Sequence, residues 1–314
     1  MGCSSNDNST GPPAPKPVRV QVTTTATAPS LASVNDVLWN TVPATAIDIS
    51  TLNAPKPNPG KAAVVSDSVY LQAIAHNDSL YLRVRWNDPT HDILHNHYEV
   101  SQVPVGAQPV NFTYFGEFLK EDHLIVLFGG LAGGGWDAWH WRSLTTAYGL
   151  LAEDQTFVGG ALVPDTNKPN VLPARENPRL LNSQQPTYVH KDGPLFTDTV
   201  MYWTDRVSST SFVNDSRWQK NQIVPGWLID TSVVNMSPTE RLSRWDIRAA
   251  SAHSAEGGGY TVVMCRPMFT GYNDDVNLAV LDSAQVKIGV MDNQDDISVS
   301  NSQRGFSDSF WLIF

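Results

Sequence analysis

Apolar and polar residues alternate with a period of two along several stretches of this chain, most clearly in a pair of stretches joined by a polar turn. Ser68-Val-Tyr-Leu-Gln-Ala-Ile-Ala runs into His76-Asn-Asp-Ser and then into Leu80-Tyr-Leu-Arg-Val-Arg-Trp86. This reads as two strands folded back on a turn. Successive side chains on a strand point to opposite faces, so Leu80, Leu82, Val84 and Trp86 share the face expected in a core. Tyr81, Arg83 and Arg85 share the other. His76 sits among the turn formers Asn, Asp and Ser and is expected to face solvent. Further strands are predicted over His123–Phe128, Val200–Trp203, Tyr260–Arg266, Val286–Val290 and Phe310–Phe314, with one short helical pattern from Ser143 to Glu153. The connecting segments are Gly/Pro-rich and aperiodic, the largest running from about Asp154 to Gln222. A loop region of that length usually carries function or covers something. With no βα alternation, nucleotide loop or repeat, the pattern predicts an all-β sandwich with long irregular loops and at most one or two short helices.

Composition narrows the partners. Of 314 residues, 41% are hydrophobic, enough for one sizeable core, and ten are Trp, a residue used in cores and flat-ligand pockets. A net charge of −10 argues against a phosphate-binding surface, so no nucleic-acid partner is expected. No apolar run is long enough to span a bilayer as a helix. The two cysteines, Cys3 and Cys265, exclude a disulfide framework and a C-x-x-C-H haem attachment. Cys265 lies in a strand-like run and is expected to be a small buried apolar residue.

The N-terminus changes the picture of location. Met1-Gly-Cys-Ser-Ser5 is similar to the end of a bacterial lipobox, with Cys3 as the lipidated residue, and the polar, Pro-rich segment after it is suited to a solvated tether. The expected organisation is a lipidated tether over residues 1–17 and a single β-sandwich domain over 18–314. Ser4 after the cysteine points to an outer-membrane or cell-surface lipoprotein of the bacterial cell envelope.

Four patches, in order, resemble the family of the ethylbenzene dehydrogenase γ-subunit, its dimethylsulfide dehydrogenase counterpart and related cytochrome haem-binding domains. They are Leu80-Tyr-Leu-Arg-Val-Arg-Trp-Asn-Asp-Pro-Thr-His-Asp92, Asp137-Ala-Trp-His-Trp-Arg-Ser143, Gly259-Tyr-Thr-Val-Val-Met-Cys-Arg-Pro-Met268 followed by Asp274-Asp-Val, and Lys287-Ile-Gly-Val-Met-Asp-Asn293. The resemblance implies an immunoglobulin-like β-sandwich of DOMON-like type, holding one non-covalent b-type haem between Met and Lys ligands. It also implies electron exchange with a redox or structural partner protein rather than a catalytic site. The chain departs from the family twice. Gly129 to Gly135 replaces the C-x-x-C-H loop of many cytochrome relatives, and no Met lies between Val18 and Tyr70, where the methionine ligand is expected.

The candidate cofactor residues are therefore drawn from the chain itself. Trp139-His140-Trp141 could pack and ligate a porphyrin, since imidazole is a standard haem ligand; the alternative is a structural histidine in an aromatic cluster. Met236 and Lys220, both loop-borne, are candidate axial ligands. His95 and His97 project to one side of an extended segment that also carries Asp88, His91 and Asp92, and with His140 they form the candidate metal ligands. Asp274-Asp275 and the acidic run Asp292 to Asp296 are weighed as calcium ligands against plain exposed turns. The competing functional class is a haemless binding module for a glycan or a protein partner, because aromatic faces stack on sugar rings as well as on porphyrin.

Overall fold

The computed structural model describes residues 17–49, 67–91, 96–115, 121–144, 146–147, 150–165, 174–180, 184–190, 201–202, 206–208, 216–229, 236–254, 258–292 and 304–314. Cys3 and His95 fall outside them. The first strands are β1 (Arg19–Gln21), β2 (Thr23–Thr24), β3 (Thr45–Asp48), β4 (Ser68–His76), β5 (Ser79–Asn87), β6 (His97–Gln102) and β7 (Asn111–Phe115). Next come β8 (His123–Gly129), β9 (Trp136–Arg142), β10 (Glu153–Val158) and β11 (Ala161–Pro164). Short strands follow: β12 (Ala174–Glu176), β13 (Tyr188–His190), β14 (Met201–Tyr202), β15 (Arg206–Ser208), β16 (Ile223–Val224) and β17 (Trp227–Ile229). The chain ends with β18 (Arg248–Ser254), β19 (Gly259–Pro267), β20 (Ser283–Met291), β21 (Arg304–Phe306) and β22 (Phe310–Ile313).

Two sheets make the body. One has the order β1-β22-β20-β8-β9-β10-β11, with β21 also on β20; the other has the order β18-β19-β5-β4-β2, with β3 also on β4. Inward side chains of both form one buried cluster, including Leu71, Leu82, Val84 and Val262 from one sheet and Val126, Trp139, Trp141 and Ile288 from the other. The expected all-β sandwich is the fold. Between Gln21 and Thr23 the chain passes from one sheet to the other, β1 lying parallel to β22 and β2 parallel to β4. Smaller sheets, β16-β6-β7, β12-β17-β14 and β13-β15, are built from the long connections.

The β4–β5 hairpin forms as its alternation predicts, and Leu80, Leu82, Val84 and Trp86 all face the core. Its other face, however, is covered in part. A 3-10 turn at Val37–Thr41, capped by Asp36 accepting from the Leu38 N–H at 2.8 Å, lays Trp39 over it. Trp39, Val34 and Val42 pack there against Ile74 and Val263. Arg83 is buried beneath this cover and donates to Gln72 Oε1 at 3.1 Å, while Gln72 Nε2 donates to the carbonyls of Trp39 and Val42, each at 2.7 Å.

Other expectations need correction. His76 ends β4 half-buried, its Nδ1 3.0 Å from the Thr25 carbonyl, and the turn itself falls on Asn77 and Asp78. Among the described residues the stretch expected to be helical between Ser143 and Glu153 shows only a 3-10 position at Ala147, and no α-helix. Glu153 instead opens β10, because its buried carboxylate is drawn to Arg142 at 2.7 Å and to Arg244. The strand expected at Val200–Trp203 is described only at Met201–Tyr202.

Candidate functional site

Strand β9 carries the Trp-His-Trp sequence, and its two-residue period separates what the sequence places side by side. Trp139 and Trp141 point into the sandwich core. His140 points to the opposite face, so the tripeptide does not make one seat for a flat ligand. There His140, 2% exposed, places Nε2 2.8 Å from His123 Nδ1 and Nδ1 2.9 Å from Gln155 Oε1. Burial, with the nearby Arg142 guanidinium, holds His140 well below the ordinary imidazole pKa and keeps it neutral.

The remaining candidates lie apart from it. His97 is on β6 in a different sheet, where its Nε2 sits 3.2 Å from Glu99 Oε1 and its ring stacks on Phe115 at 5.2 Å. Met236 packs half-buried against Leu151 and Trp245, and Lys220 is exposed in a turn. Among the described residues, the ligands proposed from the sequence are therefore not brought together at one point.

What the fold does bring together lies at the end of the sandwich where β9 and β19 meet. Tyr260 opens the inward row of β19 and stacks on Trp86 at 5.0 Å, with Trp141 edge-on to both at 5.5 and 6.2 Å. On β18, His253 is the cross-strand partner of Tyr260 and meets its ring edge-on at 4.7 Å. His91, from the segment after β5, stacks on His253 at 4.8 Å with the rings 6° from parallel. His91, Trp141, His253 and Tyr260, with Ser143 and Ser251, line a cleft of about 250 Å³. His253 Nε2 lies 2.9 Å from the Asp88 carbonyl oxygen, which only accepts. The proton of the neutral ring is thereby fixed on Nε2, and Nδ1 is the acceptor. Beneath the cleft the Tyr260 hydroxyl donates to Asp122 Oδ2 at 2.5 Å, and burial beside this carboxylate drives the phenol far above its ordinary pKa. Sequence reasoning missed His253 and Tyr260 as site residues; only the inward phase of Trp86 and Tyr260 along their strands pointed toward them.

A second centre lies at the opposite end of β19. Arg266, fully buried, donates to both oxygens of Asp137 at 3.1 and 2.6 Å, to Asp154, and pairs with Asp275 at 3.3 Å. Its guanidinium also lies 5.0 Å from the Trp139 ring centroid. Asp137 additionally accepts the Val276 N–H at 2.9 Å. Asp137 and Arg266 belong to two of the four patches singled out in the sequence, and this contact ties one sheet to the other. Asp275, weighed as part of an exposed turn, is buried here, and Asp292 is buried too. Among the described residues the groups that could hold a metal ion are all-carboxylate: Asp88 with Asp122 and Asp292, Asp137 with Asp154 and Asp275, and Asp165 with Asp274 and Asp275.

Residues 119–302, more than half of the chain, match the ethylbenzene dehydrogenase family. The chain belongs to that family. The match runs from just before β8 to just beyond β20 and so contains β9, β18, β19 and the Arg266 centre. No curated protein gives a significant match. Among solved structures, one described as a candidate carbohydrate-binding protein from Bacteroides uniformis aligns at a TM-score of 0.35 and 8% identity, covering 95% of this chain and 91% of its own. A family 9 carbohydrate-binding module from Caldicellulosiruptor kristjanssonii, solved with cellotriose, aligns at 0.33 and 8% identity, covering 94% of each chain. Likenesses at this level do not bear on what this chain binds.

The family implies haem, and the aromatic cleft does not fit a whole one. Pockets that enclose a drug-sized ligand span about 300–1,000 Å³, and a porphyrin is at the large end of that need. The aromatic cleft, at about 250 Å³, falls short of it. His140, the histidine nearest the family-like Trp pair in sequence, has both ring nitrogens engaged.

Proposed function

We propose that this member of the ethylbenzene dehydrogenase family is a non-catalytic binding subunit held at the bacterial cell envelope by a lipid on Cys3, and that it works beside a partner protein. The cleft of His91, Trp141, His253 and Tyr260 carries this reading. It has aromatic walls, a fixed imidazole acceptor at His253 Nδ1 and two serine hydroxyls in a volume suited to a single hydroxylated ring, such as one sugar unit of a glycan. Apolar ring faces pack on the aromatic side chains, and a ligand hydroxyl donates to His253.

Family membership supports a second reading, a b-type haem electron-transfer subunit, in which the haem is seated outside the volume of this cleft. One set of measurements separates the two. Protein produced with ample haem supply is expected to show no Soret band under the first reading, while glycan binding followed by calorimetry is lost in His253→Ala. A stoichiometric Soret band that survives gel filtration, with no glycan bound, overturns the first reading and establishes the second.

A further inference from the structure

We propose that Asp165, Asp274 and Asp275 form a calcium site that pins the Met268–Asn277 loop to the end of β11. The site lies at the far end of β19 from the aromatic cleft and is independent of what that cleft binds. One carboxylate oxygen from each residue lies within 4.8 Å of the others, a spacing that a single cation can bridge. Asp165, immediately after β11, is 2% exposed. Its Oδ2 accepts from the Ser243 hydroxyl, and its Oδ1 is buried with no hydrogen-bond partner. That second oxygen is an orphaned buried acceptor on a carboxylate grouped with two more, an arrangement costly without a proton or a cation.

Of the triplet, Arg266 reaches only Asp275. Its guanidinium is taken up by Asp137 and Asp154, and its contact to Asp275, at 3.3 Å, is the longest of its carboxylate contacts. Among the described residues neither Asp165 nor Asp274 pairs with a cation. The donors are all hard oxygens, the set that selects calcium over the soft transition metals. Half-exposed Asp274 gives the ion a route in from solvent.

The test uses the full chain freed of metal with a chelator, followed by calcium titration in a calorimeter and by thermal unfolding. Wild-type protein is expected to bind one calcium at this site and to melt at a higher temperature in millimolar calcium than in chelator, because an ion that binds only the folded state stabilises it. Asp165→Asn and, at the half-exposed position, Asp274→Asn are each expected to weaken binding by about tenfold or more. Asp292→Asn, in the separate carboxylate group with Asp88 and Asp122, is expected to leave this binding unchanged. A wild-type protein whose melting temperature does not respond to calcium overturns the proposal. So does calcium binding that survives both Asp165→Asn and Asp274→Asn but is lost in Asp292→Asn.

Discussion

Replacing Arg266 with Met leaves a shorter, unbranched apolar side chain and removes the cation that faces Asp137, Asp154 and Asp275 at the heart of the sandwich. The guanidinium is fully buried and donates to three carboxylate oxygens of Asp137 and Asp154. Breaking a buried pair by removing one partner costs about 3–5 kcal/mol, and with three acids left behind the upper end of that range is expected. The loss has a pH signature. Burial raises the Asp154 carboxyl well above its ordinary value of 3.8, Asp275 up to about 6 and neighbouring Asp246 up to about 8, with Arg266 opposing each rise. A carboxyl raised in the folded state contributes stability that is complete below its unfolded value, near 3.8, and is lost as pH rises through its folded value. Without Arg266 these values climb further, so Arg266→Met is expected to be less destabilising at pH 5 than at pH 8. Urea unfolding of the wild type, Arg266→Met, Asp137→Asn and the double variant, at both pH values, gives the penalty and the coupling. A coupling of about 1–3 kcal/mol is expected, the double variant being more stable than the sum of the singles predicts. A penalty below about 1 kcal/mol that does not change with pH would refute the claim that this ion-pair centre joins the two sheets.

Two further perturbations test the hairpin and the tether. Val84→Asp, which puts a carboxylate into the shared core, is expected to cost about 4 kcal/mol or more in chemical denaturation. Arg83→Ala is expected to cost about 1–3 kcal/mol, because it strands buried Gln72 Oε1; no measurable loss would mean that the Trp39 cover does not shield that pair. Cys3→Ala in the precursor is expected to release the protein to the soluble fraction; persistence in the membrane fraction after a high-salt wash would exclude a lipid anchor.

The sequence by itself determined the local elements and which way their side chains face. A period of two places Leu80, Leu82, Val84 and Trp86 inward whatever else the chain does, and the same rule sets Trp139 and Trp141 apart from His140 on β9. It determined the family as well, through patches whose order along the chain is legible without a fold. The tertiary structure alone decided which residues from separate strands meet. Arg83, on the polar face of β5, is buried only because a turn some forty residues earlier lays Trp39 over it. His253 becomes a cleft residue only because β18 sets it across from Tyr260, where His91, far away in sequence, stacks on it. Asp165 reaches Asp274 and Asp275 across more than a hundred residues of chain. Such meetings follow from strand order and register, which depend on how every strand packs at once; a residue's own neighbours in the sequence carry no record of them.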